Sequence, residues 1–159
     1  EITTRLVGSE MCIRDSNRDN LNRSYECLGG KTLGETILTP TIIYVKALKS
    51  VKDGGVTIKG CSHITGGGFY ENIPRMLHDG VRAKVKADSY PIPPIFSMLA
   101  KDGDIANEMM YNTYNMGIGM LLAVDAADAD KTVELVKKSG QNAYIIGEIT
   151  EGEKGIDLV

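Results

Sequence analysis

The stretch that decides the fold is Ile58-Lys59-Gly60-Cys61-Ser62-His63-Ile64-Thr65-Gly66-Gly67-Gly68-Phe69-Tyr70-Glu71-Asn72-Ile73-Pro74-Arg75. The branched apolar run 56–64 predicts a strand, and the apolar spacing after the three glycines predicts a helix that ends at Gly80. Glycine permits positive φ and lets an anion approach the main chain, and a helix start directs free N–H groups at that anion. The stretch therefore predicts an anion-binding loop, and a tight turn with a structural histidine is the alternative.

Candidate site residues lie on this loop and at its mouth. We expect the N–H groups of Gly66, Gly67 and Gly68 to face a phosphate, with His63 and Thr65 as side-chain donors. His63 is the candidate catalytic residue. Its imidazole would donate a hydrogen bond or, because imidazole titrates near neutral pH, act as a general base, and we favour the donor role.

Two asparagines are further candidates for binding substrate or phosphate. Asn72 follows the loop and would either touch the substrate or hold the loop in shape. Asn115 precedes Gly117 and Gly119, and would either line the same cleft or close a turn. Both asparagines therefore keep a structural alternative.

The composition of the 159-residue chain is that of one globular domain, or of one domain with a tail. The net charge of −3 disfavours nucleic acid or an anionic membrane as the main partner. No apolar run approaches the roughly 20 residues of a membrane span, and no signal sequence is evident, so we expect a cytoplasmic protein. Cys12, Cys27 and Cys61 are scattered and accompany only two histidines, which predicts free, at least partly buried thiols and no metal site.

Residues 1–27 differ from the rest of the chain. Arginines mix there with Ser, Asn and Asp, and no period of 2 or 3.6 is sustained. The run Leu6 to Ser16 resembles translated sequencing-adapter read-through. We therefore predict a disordered or artefactual arm over 1–27, with a domain over 28–159.

Four helix signals follow in that domain. Thr39 and Pro40 are expected to start a helix as its cap and first turn. The helical spacing predicts that this helix buries one apolar stripe, Tyr44, Ala47, Leu48 and Val51. A short helix over 95–100 should follow a proline-rich connection. Asp104 and Asp128 are each expected to cap a further helix.

Strand signals alternate with these helices. Strict apolar and polar alternation over 81–88 predicts a strand with one buried face. The apolar run 118–124 lacks alternation and predicts a central strand covered on both faces. Further strands are expected over 143–149 and 156–159, and the succession of strand, helix and strand indicates a β-α-β crossover.

Four motifs occur in one order, at residues 33–46, 63–75, 91–96 and 114–120. The second, His-Ile-Thr-Gly-Gly-Gly-Phe-x-Glu-Asn-Ile-Pro-Arg, is the most specific. Together they resemble the C-terminal domain of the phosphoribosylformylglycinamidine cyclo-ligase (aminoimidazole ribonucleotide synthetase) family, over residues 28–159.

The resemblance implies an α+β fold, an α/β sandwich in which helices cover a mixed β-sheet. It also implies a cytoplasmic homodimer that converts the small-molecule nucleotide formylglycinamidine ribonucleotide and ATP to aminoimidazole ribonucleotide, ADP and phosphate. Loop 63–68 would bind phosphate, whereas ATP and Mg²⁺ would be held mainly by an N-terminal domain that this chain lacks. Ile42 departs from the family, which usually places a basic residue there.

The sequence is also compatible with two other functions. The first is a different ATP-dependent enzyme of the same superfamily, formylglycinamidine ribonucleotide synthase or a selenophosphate synthetase. The second is an anion-binding or dimerisation module without activity.

Overall fold

The structure, a computed structural model, describes residues 21–159, so the predictions for the adapter-like run and for Cys12 lie outside the described residues. The helices in chain order are α1 (Leu33–Ile37), α2 (Val45–Asp53), α3 (Gly68–Arg75), α4 (Pro94–Asp102), α5 (Asn107–Thr113) and α6 (Ala129–Lys138). The strands are β1 (Gly60–His63), β2 (Val81–Val85), β3 (Met120–Ala123), β4 (Gly147–Glu151) and β5 (Gly155–Leu158). Short 3₁₀ helices occupy Glu26–Leu28 and Ala126–Asp128.

The strands form two separate sheets. β1 and β3 make an antiparallel ribbon, in which Gly60 faces Ala123 and His63 faces Met120. β2 is the centre of a mixed sheet, antiparallel to β4 and parallel to β5. Because α3 packs against β1, β2 and β5, the predicted α+β class with helices on a mixed sheet is confirmed.

The core lies between α3, α5 and the mixed sheet. Phe69 and Tyr111 are almost fully buried, and their rings meet edge to face with centroids 5.2 Å apart. Ala83 and Val85 of β2 are buried as the alternation predicted. The helix that follows the glycines is thereby anchored on its apolar side.

The predicted start of the helix after Thr39 is wrong. α2 begins at Val45, and no side chain caps it. The Thr39 hydroxyl instead donates to the Glu35 carbonyl oxygen (3.4 Å), at the end of α1. α1 has its own capping box, because the Thr32 hydroxyl accepts the Glu35 N–H (3.1 Å) and the Thr32 N–H donates to the Glu35 carboxylate (2.8 Å).

The two aspartate caps have different outcomes. Asp104 adopts a φ of 47° before α5, which begins at Asn107 with Ala106 at the N-cap, so that prediction is wrong. Asp128 does hold the N-cap position of α6. Its carbonyl oxygen, rather than its carboxylate, accepts the hydroxyl of Thr132 (2.7 Å).

Several strand predictions need correction. Over residues 21–159, β3 pairs only with β1 and its residues are partly exposed, so 118–124 is not a central strand covered on both faces. The predicted strand 143–149 is displaced to 147–151, the segment that pairs with β2. Since β3 and β4 lie in different sheets, they form no β-α-β crossover; the parallel pair is β2 with β5.

The first strand is shorter than predicted, because the Val56 N–H donates to the Val51 carbonyl oxygen (3.3 Å) at the end of α2. Residues 21–27 of the predicted arm contact the domain, through a bridge between Ser24 and Thr32 and through the Leu33 N–H, which donates to the Arg23 carbonyl oxygen (3.3 Å). The boundary after residue 27 stays a prediction.

Candidate functional site

The glycine loop connects the end of β1 to the start of α3. Gly67 and Gly68 adopt φ values of +90° and +53°, in the left-handed region that favours glycine. A Cβ on Gly68 would overlap the carbonyl oxygen of Tyr111 in α5, whereas a Cβ on Gly67 would overlap the flexible side chain of Glu71. The predicted succession of strand, glycine loop and helix is therefore present, and Gly68 is fixed by backbone sterics.

Asn72 lies beneath this loop with 3% of its surface exposed. Its Nδ2 group donates to the carbonyl oxygens of Thr65 (3.3 Å), Gly66 (3.2 Å) and Gly68 (2.7 Å). Its Oδ1 atom accepts from the Arg75 guanidinium (3.0 Å). Of its two predicted roles, these contacts give Asn72 that of holding the loop in shape.

A second bond ties Asn72 to β1. The hydroxyl of Ser62, a buried residue, donates to the carbonyl oxygen of Asn72 (2.8 Å). This carbonyl lies in the last turn of α3, which contains Pro74. In a regular helix it would accept the Met76 N–H, but that N–H donates to the carbonyl oxygens of Ile73 and Pro74. Sequence reasoning missed Ser62, although its position between the exposed residues Cys61 and His63 places it on the inward face of the strand.

The carbonyl groups and the N–H groups of the loop backbone differ in the partners that they have. The carbonyl groups that Asn72 binds point inward, toward the helix. The Gly68 N–H donates to Thr65 (3.0 Å), which removes Gly68 from the predicted N–H donors. Within residues 21–159, the N–H groups of Gly66 and Gly67 have no hydrogen-bond acceptor. These two N–H groups remain available to a ligand.

His63 is exposed at the mouth of the loop and touches Tyr44. The two rings meet edge to face at 67°, with centroids 6.0 Å apart. Tyr44 precedes α2, and its partial burial raises the pKa of its phenol, which stays neutral at physiological pH. The Ile64 N–H donates to the Gly119 carbonyl oxygen (2.9 Å), and the Tyr44 hydroxyl lies against the same glycine. Sequence reasoning placed Tyr44 only in the apolar stripe of its helix.

Asn115 closes a turn next to this site. Its Oδ1 atom accepts the Gly117 N–H (2.9 Å), and its carbonyl oxygen accepts the Ile118 N–H (2.9 Å). Gly117 adopts a φ of +97° and packs against Pro93. These bonds give Asn115 its structural alternative, the closing of a turn.

The glycine loop does not line either of the two cavities described, which have volumes of ≈ 260 and ≈ 710 Å³. In the part of the chain that is described, no three His, Cys, Asp or Glu side chains cluster so as to hold a metal. None of the helices described is both long and apolar enough to span a membrane. Cys27 and Cys61 are free as predicted, but exposed rather than buried.

Residues 5–158 match the family model for the AIR synthase related protein, C-terminal domain. The chain belongs to this family. The match confirms the resemblance based on the four motifs, and it begins within the predicted arm.

Curated relatives of this AIR synthase-related domain carry the name phosphoribosylformylglycinamidine cyclo-ligase. The protein from Lachnoclostridium phytofermentans is 68% identical over 141 residues, which are 89% of this chain and 41% of the relative. The protein from Agathobacter rectalis is 63% identical over 143 residues, 90% of this chain and 42% of the relative. The protein from Caldanaerobacter subterraneus subsp. tengcongensis is 50% identical over 129 residues, 81% of this chain and 38% of the relative. The chain thus spans about two fifths of the relatives' length.

Proposed function

We propose that this chain is the C-terminal part of a phosphoribosylformylglycinamidine cyclo-ligase, and that its glycine loop binds a phosphate group of the nucleotide substrate. The names of the relatives support a ligase of purine biosynthesis over the other enzymes of the superfamily. Since the chain spans only part of each relative, the complete reaction would need sequence outside it.

The observation that carries the proposal is that the loop's carbonyl groups are bonded, whereas two of its N–H groups are not. Asn72 holds the carbonyl groups inward, which leaves the Gly66 and Gly67 N–H groups without an acceptor in the described chain. Hydrogen bonds from such N–H groups to an anion are charge-assisted and stronger than those to a neutral acceptor. The start of α3 adds its partial positive charge at the same place.

His63 and Thr65 are the side chains proposed to act with the loop. Both are exposed at its mouth, so each is accessible to a phosphate oxygen. In the proposed reaction, ATP converts the formyl oxygen of the substrate to a phosphate ester, and an internal nitrogen closes the ring as phosphate leaves. A donor at His63 would stabilise the charge that gathers on these oxygens.

The proposal assigns ATP and Mg²⁺ mainly to an N-terminal domain of the full-length protein, which would act in the cytoplasm as a homodimer. The loop fits an anion because it offers N–H groups, whereas no three His, Cys, Asp or Glu side chains cluster over residues 21–159. In this domain, the residues named above would bind and orient phosphate.

The binding step is testable on the chain itself by NMR, with inorganic phosphate as the ligand. The chain has two histidines, His63 at the loop and His78 in the exposed segment after α3. We expect phosphate to shift the amide resonances of Gly66 and Gly67 and the ring resonances of His63, with His78 as the internal control. Sodium chloride at equal ionic strength is the salt control. Shifts at His78 without shifts in the loop would contradict the proposal.

The catalytic role needs a full-length cyclo-ligase that carries this domain. His63→Ala should lower kcat/KM by about 30- to 1000-fold, as expected for roughly 2–4 kcal/mol of transition-state stabilisation. His63→Gln keeps a neutral donor but does not titrate, so substantial activity in this variant favours the donor role over the general base. Near-normal activity of His63→Ala, with phosphate binding intact, would reject the catalytic role alone.

A further inference from the structure

Three side chains with soft or imidazole donor atoms share the exposed face of the β1–β3 ribbon. Cys61 and His63 flank the buried Ser62 in β1, so both project from the opposite, exposed face. Met120 of β3 lies directly across from His63. The Sγ atom of Cys61 is 3.3 Å from the Sδ atom of Met120.

The ladder brings His63 close to the same methionine. The Ile64 N–H bonds to the carbonyl oxygen of Gly119, the residue opposite it, so these two form a hydrogen-bonded pair. Such pairs alternate with non-hydrogen-bonded pairs along an antiparallel ladder, which makes His63 and Met120 a non-hydrogen-bonded pair. The Cβ atoms of such a pair lie roughly 4.5–5.5 Å apart. A thiol, a thioether and an imidazole therefore share one face of the ribbon.

We propose that Cys61, His63 and Met120 form a binding site for a soft monovalent cation, Cu(I) or Ag(I). Thiolate and thioether ligands select Cu(I), and imidazole also binds copper. The two sulfur atoms are 3.3 Å apart, which places both within reach of one ion. Zinc is disfavoured because it takes Cys, His or carboxylate ligands, and no third such side chain clusters here within the described residues.

Binding would couple to protonation of the thiol. The metal–sulfur bond forms as the Cys61 thiol loses its proton to solvent, and the ion keeps its oxidation state. Because the thiolate is the ligand, the apparent affinity should increase with pH. Leu122, opposite Cys61 on this face, and the ring of Tyr44 beside His63 supply apolar surroundings.

The test is an anaerobic Cu(I) titration of the full chain against the chromophoric competitor bicinchoninate. Cys12→Ser and Cys27→Ser are combined first, which makes Cys61 the sole cysteine. We expect one ion per chain, loss of binding in Cys61→Ser, and affinity at least about tenfold weaker in His63→Asn and in Met120→Leu. His78→Asn and Met109→Leu are matched controls at other exposed positions and should not change the affinity. If His63→Asn and Met120→Leu bound Cu(I) as tightly as the two control variants, Cys61 would bind the ion as an ordinary thiol, and the proposal would be overturned.

A second readout avoids substitution at the site. Ag(I), a redox-inert probe, should shift the ring resonances of His63 and the methyl resonance of Met120 in the sole-cysteine chain, and leave His78 unchanged. Shifts confined to Cys61, or equal at both histidines, would overturn the proposal. Both readouts measure metal binding, so they are independent of the proposed catalytic role of His63.

Discussion

The hydroxyl group of Tyr44 occupies the space that a Cβ atom on Gly119 would need. Gly119 has an ordinary backbone conformation, so its lack of a side chain serves this contact rather than a positive φ. The same tyrosine ring meets His63 edge to face. Three segments distant in sequence are therefore fixed against one another at the mouth of the loop.

The contact predicts a rescue. Gly119→Ala should destabilise the chain by about 1–3 kcal/mol, because the Tyr44 ring must move to admit the new methyl group. The loss should be smaller in a Tyr44→Phe chain, where the overlapping oxygen is absent. Urea unfolding of the four chains of this double-mutant cycle measures the difference. An equal loss in both chains would show that Tyr44 is not the obstacle.

Alanine substitutions at Gly67 and at Gly80 would separate the cost of backbone strain from the cost of steric overlap. Both adopt left-handed φ values, +90° and +86°, but a Cβ on Gly80 meets nothing within 4 Å. Gly80→Ala should therefore lose roughly 1–2 kcal/mol through φ alone. Gly67→Ala should lose more, because the new Cβ overlaps the Glu71 side chain from its Cβ atom to its carboxylate. Glu71→Ala keeps the Cβ atom and should remove only the part of that excess that is due to the carboxylate end. Thermal or urea unfolding decides, and an excess that is unchanged in the double variant would contradict this account.

Asn72→Ala should be strongly destabilising. It removes the donor shared by three loop carbonyl groups and leaves a cavity at a buried position, which we expect to lower the free energy of unfolding by about 2–4 kcal/mol. Asn142→Ala, at an exposed position, is the control and should change it by less than about 0.5 kcal/mol. If the two variants unfolded at the same urea concentration, the bonds to the loop would contribute nothing to stability.

The ion pair between β2 and β5 predicts a pH dependence of stability. The Asp157 carboxylate accepts from Arg82 at both oxygens (2.8 and 2.7 Å), which lowers the pKa of this carboxyl. A depressed pKa stabilises the folded chain above the unfolded value near 3.9, and this contribution is lost as pH falls through the lower folded value. The Tm advantage of the wild type over Asp157→Asn should therefore shrink below about pH 4. A difference that stayed constant from pH 7 to pH 2 would contradict the assignment.

The sequence predicted the local geometry of the site better than the partners of its residues. The branched apolar run, the three glycines and the apolar spacing after them are signals within one continuous stretch, so strand, loop and helix were predictable. Which sheet β3 joins depends on pairing between distant segments, and a short apolar run reads the same in either sheet. Tyr44 was placed only in an apolar stripe, because its contact with Gly119 is tertiary.

The sequence left a binding role and a structural role open for Asn72 and for Asn115, again because it does not show which groups these side chains contact. An asparagine near glycines fits a turn or a ligand equally well until its acceptors are known. Likewise, Thr39 has the chemistry of an N-cap, but its hydroxyl bonds backward to Glu35. Residue type indicated which bond was available, and the fold determined its direction.

Asn72 is bonded both to the glycine loop through its side chain and to Ser62 of β1 through its carbonyl group. The loop cannot change shape without disturbing the junction between strand and helix. Fixing the backbone of a residue costs about 1–2 kcal/mol of conformational entropy, and here that loss occurs during folding. An anion would therefore meet N–H groups that are already oriented, and its affinity would not be reduced by ordering the loop.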